Sequence, residues 1–116
     1  MEEVFKDISG YEGRYQVSNL GRVLSLNYQN TGRPRVLTPV KHHGGYLLVH
    51  LGQKKIRMIH TLVAEAFVEN KNGKRIVNHI DGNTRNNSVS NLEWISHKEN
   101  IQEMHRMRKL AMAANQ

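Results

Sequence analysis

Apolar positions change their spacing near residue 58, and this change separates two kinds of structure. Before that point, glycines interrupt the chain every few residues, and short β-prone segments lie between them. Frequent turns with short strands predict a small antiparallel sheet. The polar segment 27–35 is predicted to be an exposed loop because it combines asparagine, glycine and proline. The candidate strands of this part are 15–17, 22–26 and 36–37.

A hairpin and then a helix are predicted where the spacing changes. Segments 46–50 and 55–59 flank the turn-forming segment 51–54 and predict a hairpin with a basic tip. From there, apolar residues recur at the three- and four-residue intervals of a helix with one buried face, and the polar segment 69–74 ends it. The residues of this face are Ile59, Leu62, Val63, Ala66 and Phe67.

The last part of the chain predicts a strand, a long loop, a strand and a helix. The strands are 75–79 and 92–95, and the loop 81–90 between them is rich in asparagine. Ser96 and Glu99 have the spacing of a capping box, which starts a helix. The predicted fold is therefore α+β. A small antiparallel β-rich module covers residues 1–58, and a connecting helix with a ββα unit covers residues 59–116.

A basic excess indicates a polyanionic partner. The 116 residues carry 17 Lys and Arg against 10 Asp and Glu, a formal net charge of +7. Residues 1–58 hold nine of the basic and four of the acidic residues, a net charge of +5, so most of the excess lies in the β-rich module. Lys and Arg neutralise phosphates and release counterions, which favours a nucleic acid. Charge that serves solubility alone is the alternative.

The sequence contains no cysteine. This excludes disulfides and zinc sites built on thiolates, and it fits a reducing cytoplasm. The N-terminal residues are acidic and lack the apolar centre of a signal peptide. No apolar run has the length of a membrane span. The length favours one compact unit, or two small ones that share a core.

The end of the first late strand and the start of the last helix carry candidate chemistry. His79 ends that strand, and the capping box places Asn100 one turn into the helix. A strand–loop–strand–helix unit can bring these positions together around one divalent cation and a water. The histidine would remove a proton from the water, and the cation would stabilise the phosphate charge. On spacing alone, a surface histidine that caps a turn is the favoured interpretation of His79, and the base is the alternative.

Three segments resemble HNH endonucleases of the phage homing type. The last part reads Asn-His-Ile-Asp-Gly-Asn at 78–83, Asn-Asn at 86–87, Asn-Leu-Glu-Trp at 91–94 and His-Lys-Glu-Asn at 97–100. Segment 60–67, His-Thr-Leu-Val-Ala-Glu-Ala-Phe, resembles the helix that precedes the HNH unit. Segment 8–23 resembles the nuclease-associated modular (NUMOD-type) DNA-binding motif that these enzymes carry ahead of the catalytic unit. Together the matches cover most of the chain.

The resemblance implies roles for four residues of a ββα-metal unit. His79 matches the general base. Asn91 matches the middle asparagine of the motif, which shapes the loop and helps to orient the histidine. Asn78 and Asn100 match the residues that contact the metal, implied to be one Mg²⁺ or Mn²⁺ per active site. The resemblance also implies a phage-encoded protein in the cytoplasm of a bacterial host.

The two implied metal ligands are both neutral. Asn78 stands where the family has Asp or Asn, and an amide is a weaker ligand for a hard cation than a carboxylate. Asp81 could add charge, although its place in an Asp-Gly-Asn segment indicates mainly a turn residue. The phosphate oxygens of DNA can provide the missing charge. The hypothesis is that metal binds tightly only in the DNA complex.

Several basic residues are predicted to contact double-stranded DNA. A solvated surface is the usual explanation for any one of them, but a nuclease motif in the same chain favours phosphate contact. The loop and hairpin groups are the best placed to reach a groove. The residues are Arg14, Arg22, Arg33, Arg35, Lys54, Lys55, Arg57 and Arg85.

Three other side chains are interpreted first as structural. Trp94 is predicted to anchor the ββα unit, and His60 to pack against or cap the earlier helix. His97 is predicted at the first position of the last helix, where the helix terminus disfavours a protonated imidazole. A phosphate contact is the alternative for His97.

The predicted function is a metal-dependent, homing-type DNA endonuclease. One base and one metal predict that a monomer nicks one strand, and a monomer or weak dimer without an obligate protein partner is expected. One alternative is a structure-specific or non-specific nuclease. Another is a DNA-binding protein with weak or no activity, which the neutral Asn78 favours. An RNA-binding protein of the translation machinery is suggested by charge alone.

Overall fold

The computed structural model describes residues 1–53 and 55–114, which form nine strands and two α-helices. The first antiparallel sheet contains β1 to β4 in chain order: Phe5–Asp7, Tyr15–Ser18, Val23–Ser25 and Arg35–Val36. The second contains β5 to β7: Val40–Lys41, Leu47–His50 and Ile56–Met58. The third pairs β8, Ile76–His79, with β9, Leu92–Ile95. The helices are α1, Ile59–Phe67, and α2, His97–Ala114.

The predicted α+β class is confirmed. The predicted strands and the hairpin are present within a residue or two of their expected ends, as is helix α1. The sequence pattern missed β1 and β5, because segments of three and two residues are too short to show alternation. Both lie at sheet edges, where backbone hydrogen bonds to β2 and β6 define them.

The turns between the short strands depend on glycine. Each glycine of the chain has a positive φ, between 62 and 90°, a region that glycine enters with little steric cost. The predicted loop 27–35 contains a short 3-10 turn at Tyr28–Asn30, and its last residue, Arg35, already belongs to β4. Sheets of two- to four-residue strands can therefore follow one another closely along the chain.

α1 is the element on which the sheets converge. Its residues Ile59, Leu62, Val63 and Ala64 are at most 2% exposed. The helix contacts β2, β6 and β7 on the N-terminal side and β8 and β9 on the other. Its apolar face has the predicted helical spacing, although Ala66 and Phe67 are only half-buried. The buried cluster around α1 also contains Ile8, Val17, Val23, Val49, Leu51 and Leu92.

The predicted division between residues 58 and 59 stays a prediction. The buried cluster takes side chains from both sides of that position. The β-rich module and the ββα unit therefore share one core. Packed side chains of this core connect the backbone of the module to the backbone of the ββα unit.

The predicted capping box is present at the start of α2. The Glu99 N–H donates to Ser96 Oγ at 3.1 Å, and the Ser96 N–H donates to the Glu99 carboxylate at 3.1 Å. This reciprocal pair satisfies donors that the first helical turn leaves free.

Along the described length of α2, no residue is buried. Among the described residues, no helix is long and apolar enough to cross a membrane.

Leu62→Ala is expected to lower the free energy of unfolding by about 2–5 kcal/mol, because it leaves a cavity in the shared core. Leu110→Ala is the matched control. Leu110 lies on α2 and is 53% exposed, so its truncation should cost no more than about 0.5 kcal/mol. Urea unfolding measures both values. Equal losses for the two variants would contradict the central role of α1.

Candidate active site

The antiparallel pair β8–β9 carries the candidate catalytic residues at one end. His79 is the last residue of β8 and pairs with Leu92, whereas Asn78 pairs with Glu93. Neighbouring side chains of a strand point to opposite faces. Accordingly, His79 lies in the interior and is 6% exposed, while Asn78 is half-buried beside the exposed Glu93.

The buried imidazole of His79 is hydrogen-bonded to the side chain of Asn87. His79 Nε2 lies 2.8 Å from Asn87 Oδ1, and Asn87 is itself buried. Because a carbonyl oxygen only accepts hydrogen bonds, the contact places the proton on Nε2 and leaves the lone pair on Nδ1. Nδ1 is therefore the atom of His79 that can accept a proton.

The loop after His79 is held by its own polar side chains. Asp81 Oδ1 accepts hydrogen bonds from the Asn83 N–H at 2.7 Å and from Asn91 Nδ2 at 2.9 Å. Asp81 Oδ2 accepts one from Asn86 Nδ2 at 2.9 Å. These bonds, led by that from Asn86, lower the pKa of Asp81. Both carboxylate oxygens of Asp81 are thus used within the loop.

Asn91 acts on the backbone next to His79. Its side-chain oxygen accepts from the Asp81 N–H at 2.9 Å, and its backbone carbonyl accepts from the Ile80 N–H at 2.8 Å. The structure therefore gives Asn91 a loop-shaping position, while the direct contact with the imidazole comes from Asn87. Any role of Asn91 in orienting His79 would be exerted through residues 80 and 81.

Two aromatic rings pack beside His79. The His60 ring centroid lies 4.9 Å from that of His79, and the Tyr46 centroid lies 5.9 Å from it. Burial, with a smaller contribution from His79, lowers the pKa of His60 to about 4. Among the described residues, His60 Nδ1 is the buried side-chain polar atom without a hydrogen-bond partner. His60 is therefore neutral near pH 7.

A single cavity brings three of the four predicted site residues together. It has a volume of about 480 Å³ and is lined by Asn78, His79 and Asn100, as well as by Tyr46 and His60. Asn91 does not line it, in keeping with its place in the loop. The cavity thus joins the end of β8 to the first turn of α2, as the strand–loop–strand–helix arrangement predicts.

An ion pair fixes the helical turn that carries Asn100. Lys74 Nζ lies 2.7 Å from the Glu99 carboxylate. Lys74, followed by the backbone and side chain of Ser96, lowers the pKa of Glu99 to about 2. Glu99 therefore stays ionised and holds the helix start against the segment before β8. None of the hydrogen bonds among the described side chains uses the Asn100 amide group, so its oxygen is available to a ligand.

The amide oxygens at this cavity suit a divalent cation that prefers oxygen ligands. Such a cation would take most of its other ligands from water and phosphate. Asn78 and Asn100 offer neutral amide oxygens, which Mg²⁺ and similar ions accept alongside water and phosphate oxygens. Among the described residues, no three His, Cys, Asp or Glu side chains are grouped so as to hold a metal. The residues present therefore fit a cation whose site is completed by a bound phosphate.

The predicted DNA-contacting residues occupy different electrostatic environments. Arg22 is paired with Glu3, and Arg57 donates to both oxygens of Glu65 at 2.9 Å. Arg14 lies over the Tyr11 and Tyr15 rings, and Arg35 lies over the Tyr28 ring. Arg33, Lys55 and Arg85 are exposed, and Lys54 lies outside the described residues.

The remaining predicted positions can be located as well. Trp94 is half-buried and donates its Nε1–H to the Val68 carbonyl at 3.0 Å, which ties β9 to the end of α1. His97 is exposed at the first residue of α2. The sequence interpretation of His60 as a packed residue agrees with its ring contacts.

Asn87 and Glu93 contact the candidate site residues His79 and Asn78, and the sequence interpretation assigned neither of them a role. Asn87 follows Asn86 in a polar loop, and no pattern shows which of the two contacts His79. Glu93 shares the face of Asn78 because of the β8–β9 register. Counting alternate positions from both strand ends could have found Glu93, but not Asn87.

Comparison with known proteins identifies two family motifs. Residues 3–52 match the NUMOD4 motif, and residues 57–102 match the HNH endonuclease family. DNA endonuclease I-HmuI of Bacillus phage SP01 is 40% identical over 98 residues, which are 84% of this chain and 55% of that protein. An uncharacterized HNH endonuclease of Acanthamoeba polyphaga mimivirus is 40% identical over 108 residues, 86% of this chain and 25% of that protein.

A solved structure supports the same assignment. It concerns DNA binding and cleavage by the HNH homing endonuclease I-HmuI, and it matches with a TM-score of 0.71 at 37% identity, covering 100% of this chain and 69% of that one. The chain belongs to the HNH endonuclease family and carries an N-terminal NUMOD4 motif. It spans about half the length of the phage relative and a quarter of the mimivirus relative. The family implies a divalent metal.

Gly21 of the β-rich module lies directly against Asn87. A Cβ atom added at Gly21 would lie 2.9 Å from Asn87 Cβ and 3.2 Å from its carbonyl oxygen. Beside it, the Val89 N–H donates to the Asn19 carbonyl at 2.8 Å. The turn between β2 and β3 therefore supports the loop residue that contacts His79.

Gly21→Ala is expected to displace Asn87 and weaken its hydrogen bond to His79. Gly13→Ala is the control, because Gly13 also has positive φ but nothing lies within 4 Å of an added Cβ. Both variants should lose about 1 kcal/mol or more of unfolding free energy through backbone strain. Only Gly21→Ala should change the ¹⁵N NMR shifts that report the His79 tautomer. Unchanged His79 shifts in both variants would contradict this support.

The half-buried, neutral His60 should make stability depend on pH. The unfolded chain binds a proton at the ordinary pKa of 6.5, and the folded chain only near 4, so the unfolded state binds more protons between these values and stability falls as pH falls. With the partial exposure of the ring taken into account, the loss is about 1–2 kcal/mol. His60→Gln removes this contribution. Urea unfolding of both proteins across the range should give a difference that shrinks towards low pH, and a constant difference would contradict it.

Proposed function

We propose that this chain provides the catalytic unit of a homing-type, metal-dependent DNA endonuclease. The observation that carries the proposal is the buried His79 imidazole, which lies 2.8 Å through Nε2 from Asn87 Oδ1 and shares one cavity with Asn78 and Asn100. Membership of the HNH endonuclease family, and the DNA cleavage by I-HmuI that the matched structure concerns, support the same reaction class.

His79 acts as the general base in this proposal. The lone pair on Nδ1 takes a proton from a water molecule as the water oxygen bonds to the scissile phosphorus and the bond from phosphorus to the leaving oxygen breaks. The leaving oxygen takes its proton from solvent water. The imidazolium that forms keeps its Nε2–H bonded to Asn87. Because Asn87 holds the ring in one tautomer and orientation, the proton transfer needs no rearrangement of the base. A positioned base of this kind typically contributes about 10²–10⁴-fold to the rate.

Asn78 and Asn100 are the proposed metal-contacting residues. When bound, one Mg²⁺ or Mn²⁺ ion would supply positive charge next to the phosphate and the leaving oxygen. Both amide ligands are neutral, and Asp81 is engaged within its loop. The phosphate of the bound DNA therefore supplies part of the coordination, and tight metal binding requires DNA.

The β-rich module and the loop beside the site bind the DNA backbone in this proposal. Arg14, Arg33, Arg35, Lys55 and Arg85 are exposed and form no ion pairs within the described part of the protein. They can exchange counterions for phosphates directly. Arg22 and Arg57 are paired with Glu3 and Glu65, so a phosphate would compete with these carboxylates for them. The predicted contact of Lys54 is part of the same proposal.

One catalytic unit should cut one strand at a time. A single base and a single metal serve one phosphodiester bond, so a monomer or weak dimer without another protein partner is proposed to nick double-stranded DNA. The relatives are phage and viral proteins, and the proposed place of action is the cytoplasm of a phage-infected bacterium.

The test uses supercoiled plasmids that carry a library of phage DNA fragments, incubated with the protein and Mg²⁺ or Mn²⁺. Nicked circles should appear before linear DNA, and strand-specific sequencing should map nicks to preferred positions. His79→Ala is expected to slow nicking by about 10²–10⁴-fold. His105→Ala is the matched control, because His105 is an exposed residue of α2, and it should nick at the native rate.

Each competing function predicts a different result. Cleavage by His79→Ala at the native rate would overturn the proposed mechanism. Nicks without sequence preference would indicate a non-specific nuclease, and DNA binding without metal-dependent nicks would indicate a binding protein. Linear product without a nicked intermediate would contradict one cut per active site.

A further inference from the structure

Glu93 lies next to the proposed metal ligand Asn78 on the neighbouring strand. The register of β8 and β9 makes the two residues direct partners. Asn78 Nδ2 donates a hydrogen bond to Glu93 Oε1 at 3.0 Å. Direct cross-strand partners on one face of an antiparallel pair are the closest side-chain neighbours that a sheet provides. The contact is therefore built into the strand pairing.

This hydrogen bond decides how the Asn78 amide group is turned. A carboxylate only accepts hydrogen bonds, so it holds the NH₂ end of the amide and leaves the carbonyl oxygen for another partner. Asn78 also lines the cavity that contains His79 and Asn100. The carbonyl oxygen is the atom of an amide group that binds cations. The contact with Glu93 therefore leaves this oxygen of Asn78 free for a cation.

The charge of Glu93 is not neutralised by a basic side chain of the described residues. Asn78 and Glu93 also line a second groove, next to that cavity, and the other acidic side chains of this groove, Glu99 and Glu103, are paired with Lys74 and Arg106. Glu93 forms no ion pair within 4.0 Å among the described residues. An exposed, uncompensated carboxylate beside a site for a polyanion opposes DNA binding unless a positive charge lies close by.

We propose that Glu93 is a positioning residue for the metal. It fixes the Asn78 oxygen towards the cavity, and its charge polarises the amide group, which makes that oxygen a more basic ligand. Outer partners of this kind orient ligands and raise their basicity, and their loss typically costs 10–100-fold in metal affinity. The inference rests on the metal site of the proposed function.

A double-mutant cycle of Glu93→Gln and Asn78→Asp separates this role from a structural one. Glutamine has the size of glutamate and can still accept the hydrogen bond, but it carries no charge. In the native background, Glu93→Gln should weaken metal binding by about 10–100-fold. In the Asn78→Asp background two carboxylates lie side by side and repel each other. There, Glu93→Gln should leave the affinity unchanged or raise it.

The readout is Mn²⁺ binding measured by electron paramagnetic resonance on protein saturated with plasmid DNA. His79→Ala serves as the common background so that the DNA stays intact, and DNA without protein gives the background binding. Glu103→Gln is the matched control. It removes a carboxylate from the same groove, and it should leave Mn²⁺ affinity unchanged because Glu103 is paired with Arg106. Circular dichroism and thermal unfolding confirm that the variants fold.

The outcomes are distinguishable. A loss of affinity on Glu93→Gln in the native background that disappears or reverses in the Asn78→Asp background supports the inference. Equal losses in both backgrounds, or no loss in the native one, overturn it while leaving the proposed metal site in place. Equal losses for Glu93→Gln and Glu103→Gln also overturn it. No Mn²⁺ binding above the DNA background by the protein with native Asn78 and Glu93 would overturn the metal site itself.

Discussion

The hydrogen bond between the His79 imidazole and the Asn87 amide is the contact on which the rest of the candidate site depends. A buried imidazole needs a partner, and the one it has also fixes its tautomer. Asn87 can occupy its place because Gly21, from a different part of the chain, has no side chain there. The state of the proposed base is therefore set jointly by the β-rich module and the ββα unit.

The loop after His79 is held together by its own polar side chains. Asp81, Asn86 and Asn91 satisfy one another and the nearby backbone. The same arrangement removes Asp81 from metal binding, because its oxygens are already used. Charge for a cation must then come from elsewhere, and the candidates are a DNA phosphate and the carboxylate of Glu93. This division suits an enzyme whose metal site is complete only when its substrate is present.

The sequence predicted those elements that a pattern of a few neighbouring residues defines. The spacing of Leu62 and Val63 on α1 and the capping box of Ser96 and Glu99 each depend on a few neighbouring residues, and both are present in the structure. Strands β1 and β5 were missed because they are very short edge strands defined by their partners. Within the site, His79, Asn78 and Asn100 were identified from motif resemblance, and the cavity does bring them together.

By itself, the sequence determined the α+β class, the order of most elements, the family and a short set of candidate site residues. These follow from periodicity, capping and motif spacing, which act over a few positions. Only the tertiary structure decided which asparagine is hydrogen-bonded to His79, that the His60 ring packs against the His79 ring, and that Glu93 faces Asn78. Such contacts depend on strand register and on the packing of distant segments around α1. A one-residue change in register would turn Glu93 to the other face of the sheet. The residues next to Glu93 in the sequence do not determine that register.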